Sequence, residues 1–168
     1  MFLAYLALGS NLNQPKRQVI NAIHRLASTE GIEVNRCSSL YRSRPLNGMS
    51  QNDYVNAVIE ISTWLKPLSL LSSTQSIEHD MGRIRIPSQR WAPREIDIDI
   101  LLYEKEIITS KHLTIPHYGL KQRSFVVYPL LEIAPRYILP CGRALKDCKN
   151  SLNSDDLIEI GRIEDFVL

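Results

Sequence analysis

The segment Asp97-Ile98-Asp99 sets two carboxylates two residues apart, in a run where Ile96, Ile98, Ile100 and Leu102 alternate with Asp97, Asp99, Leu101 and Tyr103. That period predicts a strand over Glu95 to Tyr103, with the isoleucines on one face and both aspartates on the other. Side chains two apart on a strand point the same way and stand roughly 6.6 Å apart along it. Two hard oxygen ligands so placed can hold one Mg²⁺ or bridge a pair, with substrate phosphates completing the coordination. A solvated strand face is the bland alternative. It is the weaker one, because Asp is depleted in strands and like charges on one face repel.

Arg83, Arg85, Arg90 and Arg94 crowd the loop just before the pair. Guanidinium groups give permanent, bidentate contacts to phosphate oxygens, while carboxylates hold the metal that bridges those oxygens. Taken alone these arginines read equally well as a solvated basic loop; beside the aspartates they read as a phosphate site. Pro116-His117-Tyr118 and Arg123 add cationic and hydrogen-bonding groups of the same use, although a lone His is more often a satisfied polar residue. Tyr54, Trp91 and Phe125 are ambiguous too: aromatics are mostly core, yet flat heterocycles bind by stacking in aromatic slots. No Gly-x-x-x-x-Gly-Lys-Ser/Thr loop and no Gly-x-Gly-x-x-Gly run occurs among the seven glycines. A P-loop or protein-kinase architecture is thereby excluded.

The elements that must position these groups are legible in the apolar pattern. Phe2 to Leu8 reads as a buried strand running into Gly9-Ser10-Asn11. Pro15 then opens a helix whose Val19, Ile20, Ile23, Leu26 and Ala27 keep a 3.6-residue period. Ile32 to Leu40 is a less regular strand, Ser43 to Asn52 a loop, and Tyr54 to Ser62 an alternating strand. Pro67 opens a second helix with Leu68, Leu71, Ile77 and Met81 at helical spacing, closed by Gly82. With the Asp strand the order is β-α-β-β-α-β, which predicts an α+β, ferredoxin-like fold with a mainly antiparallel sheet. The sheet's second face needs a cover, and Ser124 to Ile133 supplies a third helix despite Pro129. The result is a three-layer α/β/α sandwich with helices on both faces. The tail from Gly142 is expected to add helix and strand.

At 168 residues the chain is read as a single domain over residues 1–168. Hydrophobic residues make up 44% and charged residues 23%, ordinary for a soluble globular protein. A net charge of +2 suits an anionic ligand and falls far short of a dedicated nucleic-acid binder. Cys37, Cys141 and Cys148 form neither a zinc pattern nor a disulfide framework, which fits a reducing cytoplasm. No apolar run reaches the roughly 18 residues of a membrane helix, and the opening strand lacks the basic leader of a signal peptide.

The run Arg90-Trp91-Ala92-Pro93-Arg94-Glu95-Ile96-Asp97-Ile98-Asp99-Ile100-Leu101 resembles the signature of the 6-hydroxymethyl-7,8-dihydropterin pyrophosphokinases. Ala7-Leu8-Gly9-Ser10-Asn11-Leu12 resembles that family's opening, and Asp53-Tyr54-Val55-Asn56-Ala57 its third strand. Thr114-Ile115-Pro116-His117-Tyr118 and Lys121-Gln122-Arg123-Ser124-Phe125 resemble its later blocks, so the likeness runs from about Phe2 to Pro140. It implies an enzyme that transfers diphosphate from ATP to the hydroxymethyl group of 6-hydroxymethyl-7,8-dihydropterin and releases AMP, in folate biosynthesis.

The resemblance also implies roles. Asp97 and Asp99 bind two Mg²⁺ ions, and with Arg83 and Arg94 they form the catalytic set. His117 and Arg123 contact the triphosphate, and Gln75, Glu78, Ile100, Thr114 and Tyr118 help to hold the nucleotide. The pterin falls to Ser43, Leu46, Tyr54, Asn56, Trp91 and Phe125. Small-molecule substrates are the expected partners, with no nucleic acid, no membrane and a monomeric state. Ser43 stands where Thr is common, Arg44 where the residue is often apolar, Ala92 for a frequent Gly and Ile86 for a basic residue. Residue chemistry by itself leaves open attack at the γ-phosphorus, a silent binding module that keeps the fold, and a ferredoxin-like RNA binder, the last disfavoured by the lack of an aromatic-rich strand signature.

Overall fold

A computed structural model of the chain describes residues 1–85, 87, 88 and 92–166. The first strand, β1, runs Phe2–Ser10, and helix α1 runs Pro15–Ala27. Pro15 suits the first helical turn, where its missing N–H has no intrahelical acceptor to lose. Val19, Ala22, Ile23 and Leu26 form the buried stripe of α1.

Two short strands follow, β2 at Ile32–Cys37 and β3 at Leu40–Ser43, and then the long central strand β4 at Tyr54–Thr63. Both β2 and β3 pair with β4, so the expected irregular strand is one edge broken in the middle. Ser38 explains the break. Its N–H donates to the Val58 carbonyl at 2.9 Å, and its Oγ accepts from the Val58 N–H at 2.9 Å, replacing a ladder carbonyl with a side chain.

Helix α2 spans Pro67–Asp80 and strand β5 spans Asp97–Tyr103. The buried face of α2 is Leu70, Thr74, Ile77 and Glu78, while Leu68 is exposed. The apolar spacing named Ile77 of this stripe, pointed also to the exposed Leu68, and passed over Leu70 and the polar Thr74 and Glu78. The Thr74 hydroxyl donates to the Leu71 carbonyl at 2.9 Å, and Glu78 finds ionic partners, so neither is buried unsatisfied.

Among the described residues one antiparallel sheet has the order β5-β1-β4-β3-β8, with β2 also on β4; β8 is Ile158–Gly161. β1 and β4 lie side by side between the partners that α1 and α2 connect to them, which is the ferredoxin-like arrangement. On one face Ala4, Leu6, Leu8, Ala57, Ile59 and Ile98 pack beneath α1 and α2. On the other, Tyr5, Val58, Leu101 and Leu102 meet the third helix, α3 at Ser124–Ile133. The tail adds a 3₁₀ turn at Leu145–Ser151 and β8, which pairs with β3.

The strict alternation expected along β5 fails after Ile100. Leu6 pairs with Ile100 and Tyr5 with Leu102, so Leu101 is an extra residue and the register shifts there. Leu102 therefore joins Leu101 on the α3 face. Tyr103 turns to the α1/α2 core and donates its hydroxyl to the Leu65 carbonyl at 2.8 Å. The bulge lies beyond the aspartates and leaves their shared face intact. A small hairpin, β6 at Ile108–Thr109 and β7 at Thr114–Ile115, leads to His117, whose N–H donates to the Leu101 carbonyl at 2.9 Å.

Candidate active site

Register brings the chemistry to one end of the sheet. Gly9 of β1 pairs with Asp97 on one side and Asn56 on the other, Ala7 pairs with Asp99, and Asn56 pairs with Tyr41 of β3. A Cβ on Gly9 would stand 3.2 Å from Asn56 Oδ1. Gly9 thus gives floor space between Asn56 and Asp97, and Ala7 adds little bulk beside it. Arg123, Phe125 and Val126, at the start of α3, wall the cleft from above. It is a concave space partly open to solvent.

Its two ends differ in chemistry. At one, Asn56 Nδ2 donates to Ser43 Oγ at 2.8 Å and to the Tyr41 carbonyl at 3.3 Å, which leaves Oδ1 above Gly9 as an acceptor. Tyr54, Phe125 and Leu46 line the same end, giving an apolar, partly aromatic slot with a fixed amide. At the other end stand Asp97, Asp99, Arg94 and Arg123.

Asp97 is clamped by arginines. Arg94 Nη1 lies 2.6 Å from one carboxylate oxygen, and Arg83 Nη1 donates to the other while also meeting Glu78 Oε1 at 2.6 Å. Glu78 is buried, accepts the Ile98 N–H at 2.7 Å and pairs with Arg85 as well. Burial alone would raise the Asp97 pKa, but Arg83 and Arg94 together hold it below the ordinary carboxylate value. Asp99 has no such clamp. Burial, reinforced by the charge on Asp97, lifts its pKa to about 7. Of the two, Asp99 is therefore the better proton acceptor in the free protein.

His117 is neutral: burial first, and then Arg123, depress its pKa to about 4. The Gly119 N–H donates to His117 Nδ1 at 3.1 Å, which assigns the ring proton to Nε2, 3.6 Å from Asp99 Oδ2. Tyr118 stacks on His117 with centroids 4.4 Å apart, and the Arg123 guanidinium lies over the Tyr118 ring at 5.3 Å.

The donor set fits Mg²⁺. Asp97 and Asp99 offer hard oxygens at a mouth ringed by cations, and no cluster of three or more His, Cys, Asp or Glu is placed to hold a metal among the described residues. Remaining ligands would come from phosphate and water, the usual habit of Mg²⁺.

Some expected site residues lie elsewhere. Gln75 is exposed on α2, Thr114 is exposed on β7, and the Ile100 side chain is buried in the α1/α2 core. The helix and the strand that carry Gln75 and Thr114 both contact β5, which stands at one edge of the sheet with β1 as its neighbour. The Ile98 N–H points off that edge to Glu78, and by strand alternation the Ile100 backbone does too. Trp91, Arg90 and Ile86 lie outside the described residues. Sequence reasoning passed over Gly9 and Asn11, whose importance comes from register and burial, and over Gln51, which lines the cleft from the loop before β4.

The family described as 7,8-dihydro-6-hydroxymethylpterin-pyrophosphokinase (HPPK) matches residues 5–135. The chain belongs to this family. A Haemophilus influenzae 2-amino-4-hydroxy-6-hydroxymethyldihydropteridine pyrophosphokinase is 42% identical over 160 residues, covering 95% of this chain and 99% of its own. The Pseudomonas aeruginosa pyrophosphokinase of the same name is 42% identical over 146 residues, 85% of this chain and 87% of its own. Among solved structures, wild-type Plasmodium falciparum HPPK-DHPS with SDX-DHP superposes with a TM-score of 0.71 at 16% identity. That superposition covers 95% of this chain but only 47% of the longer one, and it supports the HPPK fold alone. The family match takes in β1 through α3, and so every described wall of the cleft; β8 lies beyond it.

Proposed function

We propose that this chain transfers the terminal diphosphate of ATP to the hydroxymethyl group of 6-hydroxymethyl-7,8-dihydropterin, releasing AMP, as a step of folate biosynthesis. One observation carries the reading: a single cleft joins an amide-bearing aromatic slot, at Asn56, Tyr54 and Phe125, to a paired-carboxylate and arginine end. The slot suits a flat heterocycle rich in donors and acceptors, and the charged end suits a triphosphate.

Asp97 and Asp99 would hold two Mg²⁺ ions, which would neutralise charge on the phosphates. Asn56 Oδ1 and the Ser43 region meet the polar edge of the pterin, with Tyr54, Phe125 and Leu46 around its faces. Arg83, Arg94, His117 and Arg123 orient the triphosphate so that the β-phosphorus lies in line with the pterin hydroxymethyl oxygen. A bond then forms between that oxygen and the β-phosphorus. The bond from the β-phosphorus to the oxygen bridging the α-phosphate breaks, AMP leaves, and the hydroxyl proton passes to solvent or a carboxylate. Neutral His117 donates its Nε2 proton in a hydrogen bond rather than carrying charge. The nucleotide base sits against the outer edge of β5, with the Ile100 backbone, Gln75 of α2 and Thr114 of β7 as its neighbours. Tyr118 is at hand beside His117, and Glu78 acts through Arg83 rather than by contact.

We place the protein in the cytoplasm as a monomeric single domain acting on small molecules, with no nucleic acid or membrane partner. Among the described residues no helix is long and apolar enough to cross a membrane, and the three cysteines are free. The deciding experiment incubates the protein with Mg²⁺, ATP and the dihydropterin and resolves the nucleotides. AMP released in equal amount with the pterin diphosphate is the expected result. Pterin-dependent ADP, or no pterin-dependent ATP consumption, would sink the assignment.

A further inference from the structure

Asn11 stands just past β1 and is fully buried. Its side-chain nitrogen donates to Gln51 Oε1 and to the Asn52 carbonyl, each at 3.2 Å. Its side-chain oxygen accepts the Arg94 N–H at 2.9 Å, while its own backbone N–H donates to the Arg94 carbonyl at 3.2 Å. The Asn11 carbonyl in turn accepts from Asn52 Nδ2 at 3.5 Å. Every polar function of this residue is therefore engaged, and every partner lies on one of two segments. Gln51 and Asn52 lead into Tyr54 and Asn56, the heterocycle end of the cleft. Arg94 leads into Asp97 and Asp99, the phosphate end. In the sheet those segments are kept apart, since β1 lies between β4 and β5.

We infer that Asn11 is a positioning residue that couples the two ends of the cleft, so that order imposed by one ligand is felt by the other. The inference rests on the proposed assignment of those ends to the pterin and the nucleotide. The physical ground is that a buried amide cannot yield one partner without leaving a polar atom unpaired. Displacement of the Arg94 backbone by phosphate contacts must draw on the same side chain that fixes Gln51 and Asn52. Coupling of this kind is a reciprocal free energy, measurable as the factor by which each ligand changes the affinity of the other.

The test is calorimetric titration of wild type, Asn11→Ala and Asn11→Asp with a non-hydrolysable ATP analogue plus Mg²⁺ and with oxidised 6-hydroxymethylpterin, each alone and with the other present. Wild type is expected to show mutual tightening. In Asn11→Ala the coupling factor should fall by roughly tenfold, more than either single-ligand affinity does. Asn11→Asp keeps the acceptor for Arg94 but loses the donor to Gln51 and Asn52, so nucleotide affinity should stay near wild type while pterin affinity and coupling drop. Asp also preserves size and shape, and it carries the test if the alanine variant does not fold. A folded variant with an undiminished coupling factor would reduce Asn11 to a structural role, and so would a wild type with no coupling. Failure of wild type to bind either ligand would instead remove the functional reading and this inference with it.

Discussion

Ile98 and Ile100 of β5 lie in the core beneath α1 and α2, whereas Asp97 and Asp99, their alternate neighbours, open onto the cleft beside α3. The two faces of one sheet are covered unequally. On the first, helices of 13 and 14 residues seal an aliphatic layer. On the second, α3 has ten residues and packs mainly on β4 and the 3₁₀ turn at Leu145–Ser151, and less on β3, leaving the facing ends of β1, β4 and β5 uncovered. Gly9 and Ala7 keep that uncovered corner low. The site is thus the part of a face where the helical layer stops, and the same strand residues that anchor one side aim the chemistry on the other.

The sharpest way to break this comparison is to substitute adjacent residues of β5. Asp97→Ala or Asp99→Ala should lower kcat by roughly a thousandfold while leaving the fold intact, because each removes charge that organises the phosphate site. Ile98→Ala should instead cost about 2–5 kcal/mol of stability by opening a cavity under α2. Pterin-dependent AMP release and urea denaturation separate the two outcomes. Near-normal turnover in an aspartate variant, or equal destabilisation on both faces, would erase the distinction.

A smaller effect is expected at Asn56, which shares a face of β4 with Val58. Asn56→Ala removes the acceptor over Gly9 and the donor to Ser43, and should weaken pterin binding by roughly 10–100-fold with nucleotide affinity unchanged. Val58→Ala, two residues on and under α3, should reduce stability and spare pterin affinity. Direct pterin titration of both variants decides; a pterin defect confined to the valine variant would place the slot wrongly.

Next comes pH. Asp99 is held at about 7 in the fold against an ordinary value of 3.8, so ionising it there opposes folding. The penalty is absent below about pH 4, grows as pH rises, and is complete above about 7. Its side chain is 34% exposed, so water tempers the burial, and Asn in its place should stabilise the empty protein by only about 1 kcal/mol at alkaline pH. In the proposed role of Asp99 as a Mg²⁺ ligand the metal competes with the proton, so the Mg²⁺ concentration for half-maximal turnover should rise by roughly tenfold per unit below about pH 7. A Mg²⁺ requirement flat across that range would show that Asp99 is already ionised.

What was legible in the sequence followed local periodicity. The aspartate face, α3 and the order of elements depend on patterns within a few residues and stand as read, and so does α1 except that Ala27 is exposed and Ala22 takes its place in the buried stripe. The departures have non-local causes. Leu102 changes face because β1 imposes a bulge. The edge strand breaks because Ser38, within it, meets the Val58 N–H across the sheet with its side-chain oxygen in place of a carbonyl. Ile77 on the buried face of α2 was legible, but its neighbour Glu78 was not, because it is polar and becomes buried only through Arg83, Arg85 and the Ile98 N–H. Asn11 carried no signal beyond its place in a motif, since its role is set by which strands flank β1.

The smallest effect should come at the sheet's far edge, where β8 pairs with β3 and Asp156 meets Arg44 Nε at 3.3 Å. Arg44 lines the cleft, so the tail touches the site through this pair. Both side chains are largely exposed, 74% and 58%, and an ion pair of that kind contributes less than about 0.5 kcal/mol. The backbone ladder between β3 and β8 does not depend on it. Asp156→Ala should therefore shift the thermal midpoint barely at all, and pterin affinity should match wild type at low and high salt. A pterin defect in the variant that wild type reproduces only in high salt would mean that the pair holds Arg44 in place, since salt screens such a contact without altering the ladder. The uncovered corner would then extend past β3 to a strand that the family match does not reach, and the tail would belong to the active site rather than to its support.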